Sequence, residues 1–459
     1  MQNIPKTVEN MREYFNTGKT KDVDFRLHYL RKWLAALKAH EEEFMEAMKA
    51  DFNKPRFESY ATEISLVYAE IRNKIKNLRK WMRPKRKFLG LSSFPSHGKE
   101  IPEPYGVVLV MAPWNYPYML TLSPVAGALA AGNCVLIKPS NRSPHTTDVI
   151  KKVCDEVFDP AYVSVVLGGH EENTELLNLQ FDFIFFTGGV TVGKIVLKKA
   201  ADHLCPCILE LGGKSPVFIS KDCNLTTTVR RLIWGKYTNA GQTCVAPDYV
   251  MVEEEIHDQF IEACKKQIKE FYFLEDGRIS PDFPYLINKG HYAKVTSLID
   301  EEKVVFGGER EEDKRLLYPT IEDNVNLDDK IMSDEIFGPV MPVIRIKNFE
   351  EGLALARKVN GGAKPLACYI FTQDKNKADY ILKELSFGGG CVNDTLMHVA
   401  TEHLPFGGVG LSGMGCYHGK RTFDAFTHYK GIVYKHNMDI KLRYPKYTEK
   451  KLKLLKKLL

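Results

Sequence analysis

Hydrophobic residues recur at helical spacing through the first part of the chain. Between residues 7 and 83 an apolar side chain returns every three or four positions, most clearly in the series Leu27, Leu30, Leu34, Leu37 and the series Ile64, Val67, Ile71, Ile75, Leu78. This period is typical of amphipathic helices that turn one face to a core. The spacing therefore predicts a helical section that ends at the basic run 82–87.

The pattern changes after Tyr105 to short, continuous apolar runs. These runs span 106–111, 134–137, 163–167 and 181–186, and the helical patterns between them include 121–131 and 146–158. Continuous apolar strands that alternate with helices indicate a parallel sheet covered on both faces. We therefore predict an α/β fold with a doubly wound, Rossmann-like unit, an architecture that binds nucleotides at the carboxyl ends of its strands.

Three further segments complete the organisation of the chain. A second α/β series starts near Cys207 and runs to about Val392. The Ser/Pro/Gly-rich stretch 91–104 is either a loop or an extended hairpin arm. The last 30 residues are polar and rich in lysine.

Composition and charge narrow the class of protein. Of the 459 residues, 44% are apolar and 27% are charged, which is ordinary globular usage. The sequence shows no 18-residue apolar stretch and no N-terminal signal core, so we expect a cytoplasmic protein without a membrane-spanning helix. Residues 430–459 hold ten Lys or Arg and two acids, and the preceding 429 residues carry a net charge of −2. A nearly neutral body argues against a nucleic-acid partner.

Ten cysteines are scattered along the chain, and one stands in a distinctive setting. Scattered cysteines without a signal peptide are expected to be reduced, and the close pair Cys205 and Cys207 has the wrong spacing for zinc, so we expect no metal site. Cys244 differs because it follows Asn-Ala-Gly-Gln-Thr after a helical pattern at 225–237. Glycine permits close approach of the backbone to a substrate, and a reactive thiol needs amides, a cation or a base that lower its pKa.

Two further motifs supply candidate partners for that thiol. Glu210 ends an apolar strand before a Gly-Gly turn, and it is either a general base or a surface carboxylate. Asn115 stands in Pro-Trp-Asn-Tyr-Pro after a buried strand. Its amide either donates to a developing oxyanion or belongs to a rigid turn flanked by proline.

Three other motifs contain groups that could contact a nucleotide. The run Phe-Thr-Gly-Gly-Val-Thr-Val-Gly at 186–193 leaves a strand and enters a helix, so it either cradles a phosphate or forms a plain tight turn. Lys138, in Lys-Pro-Ser, could contact ribose or phosphate or be solvated. Glu335, in Glu-Ile-Phe-Gly-Pro, could accept hydrogen bonds from ribose hydroxyls or belong to a turn.

These segments occur together in an order that resembles the aldehyde dehydrogenase superfamily over nearly the whole chain. The matching segments are Pro-Trp-Asn-Tyr-Pro, Lys-Pro-Ser, Phe-Thr-Gly-Gly, Glu-Leu-Gly-Gly-Lys-Ser-Pro, Gly-Gln-Thr-Cys, Glu-Ile-Phe-Gly-Pro and Pro-Phe-Gly-Gly-Val-Gly. The short N-terminus and the runs 244–249, 389–394 and 413–420 resemble the class 3 and fatty aldehyde dehydrogenase branch in particular.

The resemblance implies oxidation of medium-chain, long-chain or aromatic aldehydes to carboxylic acids with NAD or NADP. It implies that Cys244 forms a hemithioacetal and then a thioester, that Asn115 and the Cys244 amide bind the oxyanion, and that Glu210 activates water. It also places a set of residues at the cofactor: Lys138, Ser140, Gly188, Gly189, Gly193, Leu211, Glu335 and Phe337.

Asn141 and Arg142 depart from the family pattern in a way that affects cofactor choice. The family often carries Glu two positions after the proline of Lys-Pro-Ser, near the adenosine 2′-oxygen, and here Asn141 occupies that position. Loss of the carboxylate removes repulsion toward a 2′-phosphate, and Arg142 could pair with that phosphate. We therefore expect both NAD and NADP to serve.

The aldehyde dehydrogenase fold implied by the resemblance divides the chain into three parts. A cofactor domain is expected at 1–86 and 105–206, and a catalytic domain at 207–395. A small bridging element at 87–104 and 396–459 is expected to form a homodimer.

The basic end of the chain has two interpretations. Thr448 could cap a helix whose Leu452, Leu455 and Leu459 form an apolar stripe beside lysines. We favour a terminal helix that packs partly on the dimer partner. The alternative is weak peripheral attachment to anionic lipid.

Three other functions would use some of the same features. Transfer of the acyl group to coenzyme A would use the same cysteine, but acylating relatives tend to lack the base at Glu210. A non-catalytic scaffold or lipid-binding protein is expected to have lost Asn115, Glu210 or Cys244, and all three are present. A cysteine hydrolase needs a histidine beside Cys244, and the sequence places none there.

Overall fold

The computed structural model describes residues 3–90, 93–438 and 441–458, and its N-terminal section is helical. The helices are Ile4–Asn16, Val23–Ala39, Glu41–Phe52, Arg56–Ser59 and Ser65–Trp81, with a π-helical turn at Tyr60–Ile64. Leu27, Leu30, Ile71 and Leu78 are buried, which confirms the amphipathic pattern read from their spacing.

A six-stranded sheet follows this helical section. Its strands, from one edge to the other, are Gly413–Met414, Cys207–Glu210, Phe183–Thr187, Val107–Met111, Cys134–Lys138 and Val163–Val165. Five of these strands are parallel to one another, and only Gly413–Met414 runs antiparallel. The connecting helices are Met119–Ala131, Pro144–Val157, His170–Leu177 and Val190–Asp202. If the five parallel strands are numbered by their order in the chain, their spatial order from the Val163–Val165 edge is 3-2-1-4-5. This is the doubly wound arrangement predicted from the sequence.

The second sheet has seven strands. In spatial order they are Val304–Phe306, Thr320–Glu322, Val340–Ile346, Tyr249–Glu253, Pro216–Ile219, Ala367–Phe371 and Gly389–Val392. All are parallel except Val304–Phe306. Its helices are Leu225–Tyr237, His257–Tyr272, Lys289–Thr296, Phe349–Ala356 and Lys375–Glu384, and a two-stranded ribbon pairs Arg310–Glu311 with Leu316–Leu317.

The chain changes sheet between Glu210 and Pro216. The strand Cys207–Glu210 pairs in parallel with Phe183–Thr187, so it belongs to the first sheet. The domain boundary expected at residue 207 therefore lies one strand before the point where the chain passes from the first sheet to the second. An apolar strand has the same local pattern in either sheet, and only its pairing partner decides its membership. The turn after Glu210 consequently lies between the two sheets.

A third, antiparallel sheet joins the stretch near residue 90 to the end of the chain. Its strands are Lys85–Lys87, Ser96–Pro104 and Thr427–Lys435, and the last two pair in continuous register from Pro104 with Thr427 to Ser96 with Lys435. Residues 96–104 of the Ser/Pro/Gly-rich stretch thus form an extended arm rather than a loop. The helices Lys420–Ala425 and Glu449–Leu458 flank the last strand. Among the residues described, no helix has the length and apolarity needed to cross a membrane.

Candidate active site

A cleft of about 580 Å³ lies where the carboxyl ends of the first sheet face the second sheet. Eight of the residues selected from the sequence line it: Asn115, Gly188, Gly189, Glu210, Leu211, Cys244, Glu335 and Phe337. They come from five motifs that are far apart in the chain. The fold therefore brings the proposed nucleophile, oxyanion donor and base to one cavity.

Three selected residues lie outside the lining of the cleft. Lys138 is buried, and its Nζ donates to the carbonyls of Pro139 at 2.9 Å and Gly168 at 2.7 Å. Burial lowers the pKa of Lys138 to about 8. Ser140 Oγ accepts a hydrogen bond from the Arg142 amide at 3.2 Å.

Gly193, the third of these residues, sits in the helix Val190–Asp202 where that helix packs against Leu211. A Cβ at Gly193 would lie 2.6 Å from a methyl carbon of Leu211. This glycine therefore sets the packing of a cleft-lining side chain and does not itself face the cleft.

A strained loop presents Cys244 to the cleft. Asn239, Ala240 and Gly241 have φ of +56°, +51° and +72°, three consecutive residues in the left-handed region. Such backbone is unfavourable for side chains other than glycine and persists where surrounding contacts enforce it. Asn239 Nδ2 supplies such contacts by donating to the carbonyls of Asn115 at 2.8 Å and Gln242 at 3.1 Å.

Gly241 has no room for a side chain, because a Cβ there would collide with the carbonyl of Gly338. The loop before Cys244 therefore packs directly on the Glu-Ile-Phe-Gly-Pro motif. The contact explains why a glycine stands three residues before the thiol.

The Asn115 side chain is buried against the same loop. Its Nδ2 donates to the carbonyl of Gln242 at 3.0 Å. A primary amide carries two hydrogens, so one of them remains for a ligand in the cleft. The arrangement favours the oxyanion-donor interpretation of Asn115 over a simple proline-flanked turn.

Glu210 is only 2% exposed, which rules out the surface-carboxylate alternative. Within the described part of the chain neither of its carboxylate oxygens has a hydrogen-bond partner. Burial raises the pKa of Glu210 well above its ordinary value. A carboxyl group with a raised pKa that faces a cleft is suited to accept a proton during a reaction.

The environment of Cys244 differs from the one expected for a reactive thiol. Burial, followed by the carboxylates of Glu335 and Glu210, raises the pKa of the Cys244 thiol, while the amides of Cys244 and Val245 act in the opposite direction. The amides therefore act in the direction expected for a reactive thiol, and burial and the two carboxylates outweigh them. Thiolate formation at this position needs a base or a bound group of positive charge.

Glu335 is held against the turn that follows Glu210. Its carboxylate lies so close to Gly212 that a Cβ there would collide with Oε2. Burial and the nearby Asp248 raise the pKa of Glu335 to about 8, and a hydrogen bond from the Gly213 amide opposes that rise. The Gly-Gly turn thus makes room for the carboxylate and donates to it.

Lys214 fixes the segment that carries Glu335. Its buried Nζ pairs with Asp248 and donates to the carbonyls of Ile331 at 3.0 Å and Asp334 at 2.9 Å. Asp248 in turn accepts the Ile336 amide at 3.0 Å. This ion pair therefore anchors both ends of the segment to the second sheet.

His291 is a cleft residue that the sequence analysis did not select. Its Nε2 donates to the carbonyl of Phe337 at 2.8 Å, and its ring lies against Trp114, with ring centroids 5.4 Å apart. Burial lowers the pKa of His291 to about 4, so the ring is neutral. No motif signals this residue, because its partners lie 46 and 177 positions away in the chain.

The glycine turn at 186–193 has features that fit an anionic group. The helix Val190–Asp202 begins without a side-chain cap at Gly189, and Gly188, Gly189 and Val190 line the cleft. Thr187 Oγ1 is buried and, among the described residues, has no partner. Uncapped amides at a helix N-terminus bind phosphate oxygens, so these residues fit the pyrophosphate of the expected dinucleotide.

No metal site is found in the described ranges, where no group of three or more His, Cys, Asp or Glu side chains could hold an ion. All ten cysteines are free thiols. The cleft combines a thiol, carboxyl groups, an amide donor and the uncapped start of a helix.

Comparison with known proteins matches this chain over nearly its whole length. The model of the Aldehyde dehydrogenase family matches residues 1–432. The chain is similar to 4,4'-diaponeurosporen-aldehyde dehydrogenase of Staphylococcus aureus, with 44% identity over 437 residues, 95% of this chain and 94% of that protein. Aldehyde dehydrogenase family 3 member A2 of Rattus norvegicus is 40% identical over 453 residues, 98% of this chain and 92% of that protein.

Two further likenesses also cover nearly all of the chain. The aldehyde dehydrogenase of Rattus norvegicus described as dimeric and NADP-preferring is 40% identical over 452 residues, 97% of this chain and 98% of that protein. Among solved structures, substrate-bound AldH of Staphylococcus aureus superimposes with a TM-score of 0.96 at 43% identity and covers 100% of this chain and 99% of that one.

Proposed function

Since the chain belongs to the aldehyde dehydrogenase family and is an NAD(P)-dependent enzyme of aldehyde oxidation, we propose that Cys244, Glu210 and Asn115 carry out its reaction. The observation that supports this assignment is their convergence on one cleft from three separate motifs. Each has the chemistry that its role needs: a thiol, a carboxyl with a raised pKa, and an amide hydrogen available to a ligand.

The first step is attack on the aldehyde. The Cys244 thiol releases its proton to solvent water, and its sulfur attacks the carbonyl carbon, whose C=O π electrons move to oxygen and give an oxyanion. Asn115 Nδ2 and the Cys244 amide donate to that oxyanion. A nicotinamide held beside Glu335 and Phe337 would supply the acceptor for the hydride that the adduct loses when it becomes a thioester.

Hydrolysis of the thioester completes the cycle. Glu210 takes a proton from water as the water oxygen attacks the thioester carbon. The carbon–sulfur bond then breaks, the sulfur leaves as thiolate, and the carboxylic acid departs. A buried carboxyl with no internal partner can bind a water molecule and accept its proton, which is why Glu210 suits this role better than the other carboxylates of the cleft.

The cofactor is proposed to lie along the glycine turn. Gly188, Gly189 and the first turn of Val190–Asp202 would hold the pyrophosphate, and Glu335 and Phe337 would flank the nicotinamide end. Lys138 and Ser140 are proposed to face the adenine-side ribose. Lys138 Nζ donates two of its three hydrogens to carbonyls, which leaves the third hydrogen for that contact.

The experiment that tests this assignment is aldehyde-dependent reduction of NAD or NADP together with detection of the acid. Cys244→Ala should abolish turnover while cofactor binding persists. Cys223→Ala removes another half-buried thiol, which follows the strand Pro216–Ile219 and lies outside the lining of the cleft. This variant should leave turnover unchanged. Equal turnover of Cys244→Ala and the unsubstituted enzyme would contradict the assignment.

A cysteine hydrolase is the alternative that gains most from the structure, because His291 shares the cleft with Cys244. Its Nε2 is engaged with Phe337, and in the described part of the chain no hydrogen bond joins the two residues. The retained Glu210 argues against acyl transfer to coenzyme A, and the intact set of three argues against a scaffold.

We also propose the domain roles and assembly implied by the family. The six-stranded sheet with the N-terminal helices would hold the cofactor, the seven-stranded sheet would carry catalysis, and the three-stranded sheet would form a homodimer. Ile432, Val433 and Tyr434 on its edge strand are 37%, 59% and 40% exposed, which suits an interface. A cytoplasmic enzyme is the corresponding proposal for location.

The helix Glu449–Leu458 can either pack on a second subunit or bind lipid weakly. Thr448 Oγ1 accepts the Lys451 amide at 3.3 Å, as the capping interpretation requires. Leu452, Leu454 and Leu455 are 42%, 49% and 41% exposed, and Leu459 lies outside the described residues. We favour packing on the partner.

A further inference from the structure

The elements Arg56–Ser59, Tyr60–Ile64 and Ser65–Trp81 follow one another without a break and form one continuous helix. Two carboxylates of this helix contact the segments that carry the proposed catalytic residues. Glu58 Oε2 accepts the amide hydrogen of Asn239 at 3.0 Å, in the strained loop before Cys244. Glu63 Oε2 accepts the amides of Tyr118 at 2.9 Å and Met119 at 3.1 Å, just after Asn115. These contacts link the two halves of the site to a helix that lines no part of the cleft.

A π-helical turn places both carboxylates on the same side of that helix. In a regular α-helix residues five apart are rotated by about 140°, so Glu58 and Glu63 would point in different directions. The turn Tyr60–Ile64 holds one extra residue, and the Ser65 amide bonds to the Tyr60 carbonyl. The extra residue reduces the rotation to about 40°, as between residues four apart.

Lys54 provides a second chain of contacts from Glu63 to the loop 239–243 that precedes Cys244. Its Nζ lies 2.6 Å from Glu63 Oε1, and both side chains are fully buried. The same Nζ lies 4.0 Å from the centre of the Tyr116 ring. The Tyr116 hydroxyl shares a hydrogen bond of 2.6 Å with Thr243 Oγ1, beside Cys244.

Direct contacts between the two catalytic segments close this network. Asn115 Nδ2 donates to the Gln242 carbonyl, and Asn239 Nδ2 donates to the Asn115 carbonyl. A fully buried ion pair is costly unless every member is satisfied. The network therefore has one well-determined arrangement, and that arrangement sets where Asn115 stands relative to Cys244.

We propose that Glu58, Glu63 and Lys54 are positioning residues that fix the Asn115 amide against the Cys244 sulfur. The proposal rests on the catalytic roles proposed above for Asn115 and Cys244. None of the three touches the reacting atoms, so each acts through the backbone that it holds. Misplacement of reacting groups by about 1 Å lowers a rate by about a hundredfold, which gives the scale of the effect.

Glu58 offers the sharpest test, because its contact is a single acceptor oxygen. Glu58→Ala removes the acceptor and should lower kcat at least about tenfold, with the KM for NAD within about twofold. Glu58→Gln keeps an amide oxygen that can accept the Asn239 hydrogen, so it should retain kcat within about threefold. The rate constant for alkylation of Cys244 by iodoacetamide should fall with kcat in the Ala variant and recover in the Gln variant.

Glu63 is tested together with its ion-pair partner. Glu63→Gln alone removes the carboxylate that is hydrogen-bonded to the buried Lys54 and leaves Glu58 as the nearby acidic group, and kcat should fall at least about tenfold. The double variant Lys54→Met/Glu63→Gln removes both charges and keeps an acceptor for the Tyr118 and Met119 amides. It should recover at least about threefold in kcat over the single variant.

Glu253→Gln is a matched control for these substitutions. Glu253 is buried, accepts the Lys221 amide at 2.8 Å and pairs with Lys377 at 3.0 Å, so it makes the same kinds of contact as Glu63. It is the last residue of the central strand Tyr249–Glu253, whereas Cys244 precedes the amino end of that strand. Its substitution should lower the Tm and leave kcat within about twofold, because no catalytic segment depends on it.

The outcomes separate this proposal from the catalytic assignment. If Glu58→Ala folds, binds NAD and turns over like the unsubstituted enzyme while Cys244→Ala is inactive, positioning by Glu58 is wrong and the assignment stands. If Cys244→Ala remains active, the assignment itself has failed. Should Glu58→Ala fail to fold, Glu58→Asp, which shortens the reach to Asn239 by one methylene, takes its place, and unchanged kcat overturns the proposal.

Discussion

Gly212 and Glu335 stand in such close contact that a methyl group on the glycine would overlap the Glu335 carboxylate. The contact joins the turn after the first sheet to the segment proposed to flank the nicotinamide. Since Lys214 anchors that segment at Ile331 and Asp334, the carboxylate cannot retreat without breaking buried hydrogen bonds.

Gly212→Ala should therefore displace Glu335 and weaken cofactor binding. We expect the KM for NAD to rise at least about tenfold, the loss expected when one charge-assisted contact is removed. Steady-state kinetics with varied NAD measure the change. Gly431→Ala is the control, since a Cβ there meets nothing within 4 Å. An unchanged KM for NAD in Gly212→Ala would show that Glu335 does not contact the cofactor.

Glu210→Gln should separate thioester formation from hydrolysis. The amide cannot accept a proton from water, so steady-state turnover should fall by about a hundredfold or more. Stopped-flow measurement of reduced cofactor should still show an initial burst of at most one equivalent per site. Full steady-state turnover in this variant would disprove the role of Glu210 as base.

The activity should increase with pH. Burial raises the pKa values of Cys244 and Glu210, and both groups are proposed to act in their deprotonated forms. Raised pKa values move the loss of each proton to higher pH, so log kcat/KM should still be rising at about pH 8.5, the ordinary pKa of a thiol. A pH–rate profile with a non-ionising aldehyde measures this, and a plateau that is already reached below that pH would contradict it.

Both NAD and NADP should support turnover with comparable specificity constants. Arg142 lines the cleft and Asn141 carries no charge, so a 2′-phosphate meets a cation and no carboxylate at these positions. Arg142→Met should lower kcat/KM for NADP about tenfold and that for NAD by no more than about twofold. Arg345→Met, which breaks a surface pair with Asp258, is the control. A several-hundredfold preference for NAD in the unsubstituted enzyme would refute the prediction.

Removal of residues 447–459 distinguishes the two interpretations of the C-terminal helix. Packing on a partner predicts a less stable dimer at low protein concentration, measured by light scattering during gel filtration. Lipid attachment instead predicts salt-sensitive pelleting with vesicles of anionic phospholipid that is lost on truncation. We expect the truncated chain to form the less stable dimer. Pelleting of the full chain with vesicles, but not of the truncated chain, would instead favour lipid attachment.

The sequence by itself determined the local elements and selected the residues that are proposed to act in the cleft. Helical spacing located Val23–Ala39 and Ser65–Trp81, and continuous apolar runs located the strands of the first sheet. Cys244, Glu210 and Asn115 stood out because their motifs join a reactive group to an element end. Such features depend on side chains a few positions apart, which the linear pattern records directly.

Tertiary structure alone decided the environment of those groups. The membership of Cys207–Glu210 in the first sheet, the burial of Glu210, the raised pKa of Cys244 and the presence of His291 in the cleft all depend on partners far away in the chain. The contacts of Glu58 and Glu63 with the catalytic segments belong to the same class. Burial and pairing are set by long-range packing, and no local period encodes which segment will lie across a cleft.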